Sequence, residues 1–463
     1  MTTEQIFRAL DAELVGARPP AISGVSIDSR TLQPGNLFFA IKGPVFDGHD
    51  FLYAAFQKGA AAAVISDLRP EISASNSLLR VPDTTVALQK LAREYRRLWG
   101  KTVVAVTGSA GKTTTKTFIA SVLHSRFRVF SNPGNLNNHY GLPLSLLRMP
   151  VETEVAVLEM GMSGPGEIAT LCCISEPSIG VITNVQPVHL EFFGSIEEIA
   201  RAKTELADYV ENGGTWIYNA DDRLLVKRAE TFKGKKIGFG TTDDAKIRAE
   251  NIRIVDLHRT DFDLLLGPSR VRVALPVAGK YFVYNFLAAV AVGSMLGLKT
   301  EDSVAAASSL SAAPMRGRVI RLRNSATVID DSYNSNPAAL HEIATSTSML
   351  PGYSRRMAVV GEMLELGSHS KEFHFNAGQE IAQMGFDWLI GVRGYAREIC
   401  EGARQEGMRD SQVRFYEDSE AAAAFVAQLC ASGDLLLVKG SRGVHMEKIV
   451  ERLTTQFGTT EGS

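Results

Sequence analysis

Residues 102–120, TVVAVTGSAGKTTTKTFIA, join an apolar strand to a helix through a glycine-rich turn. A strand, a flexible glycine turn and a helix N-terminus together form the usual architecture of a phosphate-binding loop. In the common spacing a glycine stands five residues before the last glycine of the loop. Here Val106 occupies that position relative to Gly111. The residues alone leave two interpretations, a structural turn or a shorter phosphate loop.

The composition is typical of a globular protein. The 463 residues are 45% hydrophobic and 22% charged, with a formal net charge of -2. At roughly 150 residues per domain the length predicts about three domains. The balanced charge predicts no nucleic-acid partner. We also expect no membrane span or signal peptide, and four cysteines without a disulfide or zinc spacing favour the cytoplasm.

Alternating strands and helices predict an α/β fold with three domains. The first 98 residues are predicted to form a small N-terminal α/β domain. Apolar strands alternating with helices over 99–313 predict a central parallel-sheet domain that resembles P-loop ATPases. A second alternating series over 314–463 predicts a C-terminal Rossmann-like domain.

Three predicted strand ends of the central domain carry groups suited to phosphate or metal. They are the loop GSAGKT, Glu159 after VAVLE, and His189 after IGVITN. Ligands bind at the carboxyl ends of strands in open parallel sheets. A hydroxyl, a carboxylate and an imidazole there could hold Mg²⁺ against the phosphates of a nucleotide. Each residue alone also has an ordinary structural interpretation.

Lys203 lies on the apolar face of a predicted helix. The segment SIEEIARAKTELADYV opens with a capping-box pattern, Ser195 to Glu198. Apolar residues recur around Lys203 at spacings of three and four, so its ammonium must lose water if it stays on that face. The side chain either extends to water or a carboxylate, or it is a functional lysine that reacts as the neutral amine.

The predicted C-terminal strands end in polar side chains that suit a nucleotide or a carboxylate. Ordinary turn chemistry explains the same residues equally well. After TVIDD and LLLVKG they are Asp331, Tyr333, Asn334, Asn336, Lys439, Ser441 and Arg442. Arg316 and Arg318 stand at the turn between the second and third predicted domains, as solvated charges or as phosphate ligands after domain closure.

Seven segments together resemble the Mur ligases of bacterial cell-wall synthesis. In chain order they are TGSAGKTTTK, NPGNLNNHYGLPLSLL, LEMGMSGPGEI, TNVQPVHLEFFGSIEEIARAKTEL, DDSYNSNPAAL, VVGEMLELG and VKGSRGVHME. The resemblance covers nearly the whole chain. That family uses the shorter loop GxxGK[TS], which fits residues 108–113.

The resemblance implies roles for particular residues. Those implied to bind ATP are Gly108, Ser109, Ala110, Gly111, Lys112, Thr113, Thr114, Asn285, Arg318, Asp331, Tyr333, Asn334 and Asn336. Those implied to hold two Mg²⁺ ions are Thr113, Glu159, His189 and a carbamylated Lys203. Lys112, Lys203, His189 and Arg318 are implied to serve catalysis. The N-terminal segment SRTLQPGNLFFAIKGPVFDGHDF resembles the UDP-binding segment of the family, so the resemblance implies that the domain over residues 1–98 binds the UDP of the substrate. Those implied to bind substrate are Ser29, Arg30, Thr31, Asp47, Gly48, His49, Asn137, Asn138, Lys439 and Ser441.

The resemblance also implies a reaction. It is the ATP-dependent joining of D-alanyl-D-alanine to UDP-N-acetylmuramoyl-tripeptide through an acyl phosphate, by a cytoplasmic monomer. Another Mur-type or folylpolyglutamate synthase-like ligase, or a P-loop switch without ligase activity, is the alternative. Tyr281 and Phe282 depart from the His-Asn pair common in relatives, where contacts to adenine are expected.

Overall fold

The computed structural model describes residues 1–69, 76–188 and 191–460. The chain forms two compact units. The first unit contains Met1–Thr107, Phe127–Gly180 and Glu205–Thr215, and the second contains Gly108–Arg126, Val181–Thr204 and Trp216–Ser463. In the described part of the chain, no helix is both long and apolar enough to cross a membrane.

The strands are short, as in most α/β proteins. They are β1 (Glu13–Gly16), β2 (Gly24–Ser26), β3 (Asn36–Phe39), β4 (Ala62–Ile65), β5 (Ser77–Arg80), β6 (Thr102–Thr107), β7 (Val129–Ser131), β8 (Val155–Glu159), β9 (Ile179–Ile182), β10 (Thr215–Asn219), β11 (Lys235–Gly240), β12 (Ile247–Asp256), β13 (Arg259–Leu266), β14 (Ser269–Leu275), β15 (Arg318–Arg321), β16 (Thr327–Asp331), β17 (Arg355–Gly361), β18 (Trp388–Val392), β19 (Val413–Tyr416) and β20 (Asp434–Lys439).

Helices separate most of these strands. They are α1 (Thr3–Leu10), α2 (Leu52–Gln57), α3 (Thr84–Trp99), α4 (Lys112–Leu123), α5 (Gly141–Leu147), α6 (Glu167–Ser175), α7 (Ile196–Val210), α8 (Arg223–Thr231), α9 (Lys280–Met295), α10 (Thr300–Ala307), α11 (Pro337–Ser348), α12 (Ser370–Gln383), α13 (Ala396–Gln405), α14 (Ser419–Leu429) and α15 (Glu447–Phe457). The alternation confirms the predicted α/β fold class.

A five-stranded sheet lies in the N-terminal part of the first unit, in the order β1-β5-β4-β3-β2. Only the β1–β5 pair is antiparallel. Alternate side chains of the central strands point to opposite faces, as the pleat requires. Phe39 and Val64 pack with residues of α1 and α3, whereas Phe38 and Ile65 pack with residues of α2. Helices therefore cover both faces of this sheet.

Parallel strands β6, β8 and β7 also belong to the first unit. Every residue of β8, and all of β6 except Thr102, is buried. Continuous burial is typical of strands whose sheet is covered on both faces. Strand β8 ends at Glu159, so the predicted position of that carboxylate at a strand end is confirmed.

In the second unit β12, β13 and β14 form an antiparallel meander that leads into α9. Helix α9 is buried along most of its length. It packs against α4, where the rings of Phe118 and Phe282 stack with centroids 6.0 Å apart. The helix that follows the glycine turn is thus fixed against a largely buried helix.

The C-terminal part of the second unit is a six-stranded sheet in the order β15-β16-β20-β17-β18-β19. All neighbours are parallel except β15 and β16. Val360 packs in the cluster that includes residues of α11, α12 and α13, whereas Val359 faces residues of α14 and α15. The predicted parallel series is confirmed, and the antiparallel edge strand β15 adds to it.

Candidate functional site

The glycine turn after β6 uses backbone conformations that favour glycine. Gly108 and Gly111 have φ values of +148° and +77°. A Cβ on Gly108 would lie 1.9 Å from Thr183 Oγ1, and one on Gly111 would lie 2.9 Å from Asn285 Oδ1. Both the dihedral angles and the close neighbours exclude larger residues. The pattern GxxG in this chain is therefore a steric requirement of the turn.

Residues that follow β9 hold the turn. Ser109 N–H donates to the Asn184 carbonyl (3.0 Å), and Ala110 N–H donates to Asn184 Oδ1 (2.9 Å). Thr183 Oγ1 donates to the Ala110 carbonyl (2.6 Å), and Ser109 Oγ donates to the Gln186 carbonyl (3.1 Å). Sequence reasoning assigned no role to Thr183, Asn184 or Gln186. Two signals were available: their position directly after an apolar strand, and the segment beginning TNVQ that carries part of the family resemblance.

Lys112 opens α4 and bends back over the turn. Its Nζ donates to the carbonyls of Gly108 (2.9 Å) and Ser109 (3.3 Å). On the same helix Thr113 is half-buried and Thr114 is buried. A flexible ammonium beside a helix N-terminus is a suitable place for a polyanion, since both contribute positive potential.

Asn285 of α9 is hydrogen-bonded to α4. It is 6% exposed, and its Oδ1 accepts from Thr115 Oγ1 at 2.9 Å. The same oxygen faces the Gly111 backbone. The structure thus places Asn285 against the glycine turn and α4, and its expected contact with the nucleotide stays a prediction.

Lys203 lies on the buried face of α7. Its side chain is 2% exposed, and Ile199 and Leu206 beside it are fully buried, which confirms the predicted apolar stripe. Burial lowers the pKa of Lys203 well below its ordinary value, and the positive charge of Lys112 lowers it further. A buried ammonium is costly without a partner. The direction of this shift, toward the neutral amine, is the one that the functional interpretation requires.

The start of α7 differs slightly from the standard capping box. Ser195 Oγ accepts from Glu198 N–H at 3.2 Å, as expected. The Glu198 carboxylate accepts from Gly194 N–H at 2.8 Å, one residue earlier than in the standard motif. The predicted helix start is nonetheless confirmed.

Glu159 and Asn137 meet in the first unit. Glu159 is 2% exposed, and its Oε1 accepts from Asn137 Nδ2 at 2.9 Å. Asn138 Oδ1 accepts from Gly141 N–H (2.8 Å) at the start of α5. His189 lies outside the described residues. Within the described ranges no group of three or more His, Cys, Asp or Glu side chains could hold a metal ion.

In the C-terminal sheet the ends of β16 and β20 meet. Asp331 pairs with Lys439, whose Nζ also donates to the Asn334 carbonyl at 2.9 Å. Lys439 is 3% exposed, so this ion pair is largely removed from water. The structure therefore brings three of the predicted residues together at one strand edge.

Two arginines flank the Tyr333 ring. The guanidinium carbon of Arg316 lies 3.9 Å from the ring centroid, and that of Arg442 lies 5.9 Å from it. The face of an aromatic ring attracts a cation that lies over it. Arg318 begins β15, opposite Asp330 in the ladder, and is exposed. The predicted role of Arg318 at a phosphate stays a prediction.

Two of the predicted C-terminal site residues accept hydrogen bonds from backbone N–H groups. Asn336 caps α11, since its Oδ1 accepts from Ala339 N–H at 2.9 Å. Ser441 Oγ accepts from Leu364 N–H at 2.9 Å. Both are buried. Their predicted contacts with nucleotide or substrate stay predictions.

Tyr281 fills the space between Gly279 and Gly317. A Cβ on Gly279 would lie 2.5 Å from its ring, and one on Gly317 would lie 2.5 Å from its hydroxyl. Burial raises the pKa of Tyr281 well above its ordinary value, with the Asp331 charge adding to the effect. The tyrosine therefore packs against the turn that leads to β15.

The predicted N-terminal substrate residues fall into two groups. His49 is 2% exposed; its Nε2 accepts from Ser66 N–H (3.0 Å), so Nδ1 carries the proton donated to Asp47 (2.6 Å). A Cβ on Gly48 would lie 2.5 Å from Ile41 N, so this segment is tightly packed. The other group surrounds Asp28; its members are the buried Ser29 and the exposed Arg30 and Thr31.

Three family models match successive parts of the chain. The Mur ligase family catalytic domain matches residues 21–96, the Mur ligase middle domain matches 106–293, and the Mur ligase glutamate ligase domain matches 315–442. The glycine turn, Lys203 and Asn285 lie in the second match. Tyr333 and Lys439 lie in the third.

Three relatives match over most of their length. A UDP-N-acetylmuramoyl-tripeptide–D-alanyl-D-alanine ligase of Bacillus subtilis is 37% identical over 93% of both chains. A crystal structure of MurF from Acinetobacter baumannii superposes with a TM-score of 0.89 at 29% identity, covering 98% of each chain. MurF ligase from Thermotoga maritima in complex with ADP gives 0.83 at 31% identity, covering 94% of this chain and 97% of that one.

Proposed function

The chain belongs to the Mur ligase family, and we propose that it joins D-alanyl-D-alanine to UDP-N-acetylmuramoyl-tripeptide in an ATP-dependent reaction of peptidoglycan precursor synthesis. The observation that carries this conclusion is the match, over 93% of both chains, to a relative named for that reaction. The phosphate loop is consistent with it, because its amides and Lys112 suit ATP phosphates.

The reaction forms an amide at the expense of ATP. The terminal carboxylate of the tripeptide attacks the γ-phosphorus, ADP leaves, and an acyl phosphate remains. The amine of D-alanyl-D-alanine adds to the acyl carbon, loses a proton, and inorganic phosphate leaves as the amide forms. A carboxylate that approaches a polyanion needs neutralising charge. We assign that task to Lys112 and Arg318.

We propose that two Mg²⁺ ions accompany ATP, held by Thr113, Glu159, His189 and a modified Lys203. Oxygen donors are the ligands that Mg²⁺ prefers. Glu159 fits this role because it is a buried carboxylate at the end of β8. When bound, Mg²⁺ neutralises phosphate oxygens.

We propose that Lys203 is carbamylated. Its neutral amine adds to CO₂ and releases one proton, which gives an anionic carbamate. The burial of Lys203 and its lowered pKa fit this step, because they favour the neutral amine. Intact mass and carbon-13 NMR after equilibration with labelled bicarbonate should show one carbamate, absent in Lys203→Ala. Short carboxylic acids should restore part of the activity of that variant; no labelled carbamate in the wild-type chain would contradict the assignment.

We propose that residues at the ends of the C-terminal strands, together with Asn285 of α9, bind the nucleotide. We propose that a second set of predicted residues binds the substrate. The nucleotide residues are Asn285, Arg318, Asp331, Tyr333, Asn334 and Asn336. The substrate residues are Ser29, Arg30, Thr31, Asp47, Gly48, His49, Asn137, Asn138, Lys439 and Ser441. The predicted domain boundaries, a monomeric state and a cytoplasmic location belong to the same proposal.

A panel of acceptors tests the proposed function. Phosphate release should require ATP, the nucleotide tripeptide and D-alanyl-D-alanine together, and Lys112→Met should abolish it. A single amino acid that supports release in place of the dipeptide would favour another ligase of the family. ATP turnover without any acceptor would favour the nucleotide-dependent switch.

A further inference from the structure

An Asn-Ala-Asp-Asp turn at residues 219–222 follows β10 and contacts the surroundings of the phosphate loop by three routes. Asn219 Nδ2 donates to the Thr183 carbonyl at 3.1 Å. Asp222 Oδ2 accepts from Val185 N–H at 2.6 Å. Thr183 bonds the loop directly, and Val185 adjoins the two other loop partners, Asn184 and Gln186. The turn thus fixes residues 183–186, the segment that holds the phosphate loop.

The third route runs through α9. Asp221 Oδ2 accepts from the Tyr284 hydroxyl at 2.6 Å and from Thr241 Oγ1 at 2.6 Å. Asp221 also accepts from the backbone N–H groups of Thr241 and Thr242. A Cβ on Gly240 would lie 2.4 Å from Asp221 Oδ1, so that glycine provides the room for the carboxylate. Asp221 therefore ties the end of β11 to α9.

Tyr284 directly precedes Asn285, whose Oδ1 accepts from Thr115 in α4 and faces Gly111. The Tyr284 hydroxyl bond therefore fixes the rotation and position of α9 at the residue that braces the loop helix. A carboxylate that accepts hydrogen bonds from several fixed donors is a rigid anchor. A displacement of this part of α9 would move Asn285 away from Thr115.

We propose that the 219–222 turn is a positioning element of the phosphate loop, with Asp221 and Tyr284 as positioning residues that act through Asn285. This role rests on the proposed use of ATP. It predicts that the loop amides are preorganised for phosphate, and that loosening the turn weakens ATP binding without altering the sites of the other substrates.

Tyr284→Phe in the full chain tests the role, with Tyr95→Phe as the matched control. The Tyr95 hydroxyl donates to the Met149 carbonyl at the same distance, 2.6 Å, in the other compact unit. Both variants should lower the melting temperature by similar amounts. Only Tyr284→Phe should raise the KM for ATP, by about five-fold, the effect of one hydrogen bond, with the KM for the nucleotide tripeptide unchanged.

A double-mutant cycle tests the route through Asn285. Thr115→Val removes the hydroxyl that donates to Asn285, and Thr115→Ser retains it. If Tyr284 acts through Asn285, the combined variant with Thr115→Val should raise the KM for ATP less than the product of the single effects, and Thr115→Ser should behave like wild type. Independent effects, or an unchanged KM in Tyr284→Phe, would overturn the positioning role. A wild-type chain that binds no ATP would instead contradict the proposed function.

Discussion

Replacement of Gly108 by alanine should disable the phosphate loop. Gly108 has a φ of +148°, and a Cβ there would lie 1.9 Å from Thr183 Oγ1. Backbone strain should cost about 2 kcal/mol, and relief of the steric overlap should cost about 2 kcal/mol more. Because Thr183 also bonds the Ala110 carbonyl, the overlap is relieved by moving the loop itself. We therefore expect ATP binding to suffer with stability.

Gly407→Ala is the matched control. Gly407 has a φ of +104°, and a Cβ there would meet open space within 4 Å, so this variant should lose only the strain contribution of about 2 kcal/mol. Urea unfolding gives the stability change, and isothermal titration with ATP gives the affinity. Gly108→Ala should lose about 4 kcal/mol of unfolding free energy, the sum of the strain and overlap costs, and most of its ATP affinity. Equal stability losses and an unchanged ATP affinity in both variants would refute the reasoning.

Two further predictions concern buried charges. In CO₂-free buffer Lys203→Met should have a higher free energy of unfolding than the wild-type chain. Between the lowered pKa of Lys203 in the folded chain and about 10.4, the unfolded wild-type chain binds more protons than the folded one, so wild-type stability rises with pH. The difference between the two chains should therefore shrink as pH rises through that interval. Thermal melts across pH measure this, and a pH-independent difference would contradict it. Asp434→Ala should cost about 3 kcal/mol in urea unfolding, because Asp434 is 1% exposed and accepts from Arg355 Nε (2.9 Å) and Nη2 (2.7 Å). The exposed pair of Glu4 and Arg18 is the control, and Glu4→Ala should lower the free energy of unfolding by less than about 1 kcal/mol. Equal losses in Asp434→Ala and Glu4→Ala would show that burial does not decide the cost.

Strong periodic patterns made several elements predictable. The apolar run before Gly108 and the spacing around Lys203 correctly placed β6 and the buried face of α7. The C-terminal segments TVIDD and LLLVKG likewise form strands, β16 and β20. In these cases local sequence and tertiary burial agree, since each strand or helix face meets a single environment.

Other features depend on tertiary neighbours and had no clear local signal. Strand β12 reads IRAENIRIVD, and its charged residues follow no regular period of two because the strand has register shifts after Glu250 and after Ile254. The partners of the loop, Thr183 and Asn184, look like ordinary residues after a strand until the loop folds onto them. His49 lies in a segment expected to bind substrate, yet its imidazole is buried and hydrogen-bonded to Asp47 and Ser66. A sequence pattern cannot show which partner a polar side chain selects.

Transfer of oxygen from the substrate carboxylate to phosphate tests the central claim most directly. The nucleotide tripeptide would carry oxygen-18 in its terminal carboxylate, and the chain would act on it with ATP and D-alanyl-D-alanine. Mass spectrometry would then measure the released phosphate and the amide product. Activation through an acyl phosphate predicts one heavy oxygen in each phosphate and a product that contains the dipeptide. Unlabelled phosphate, or phosphate release without the amide product, would contradict the account.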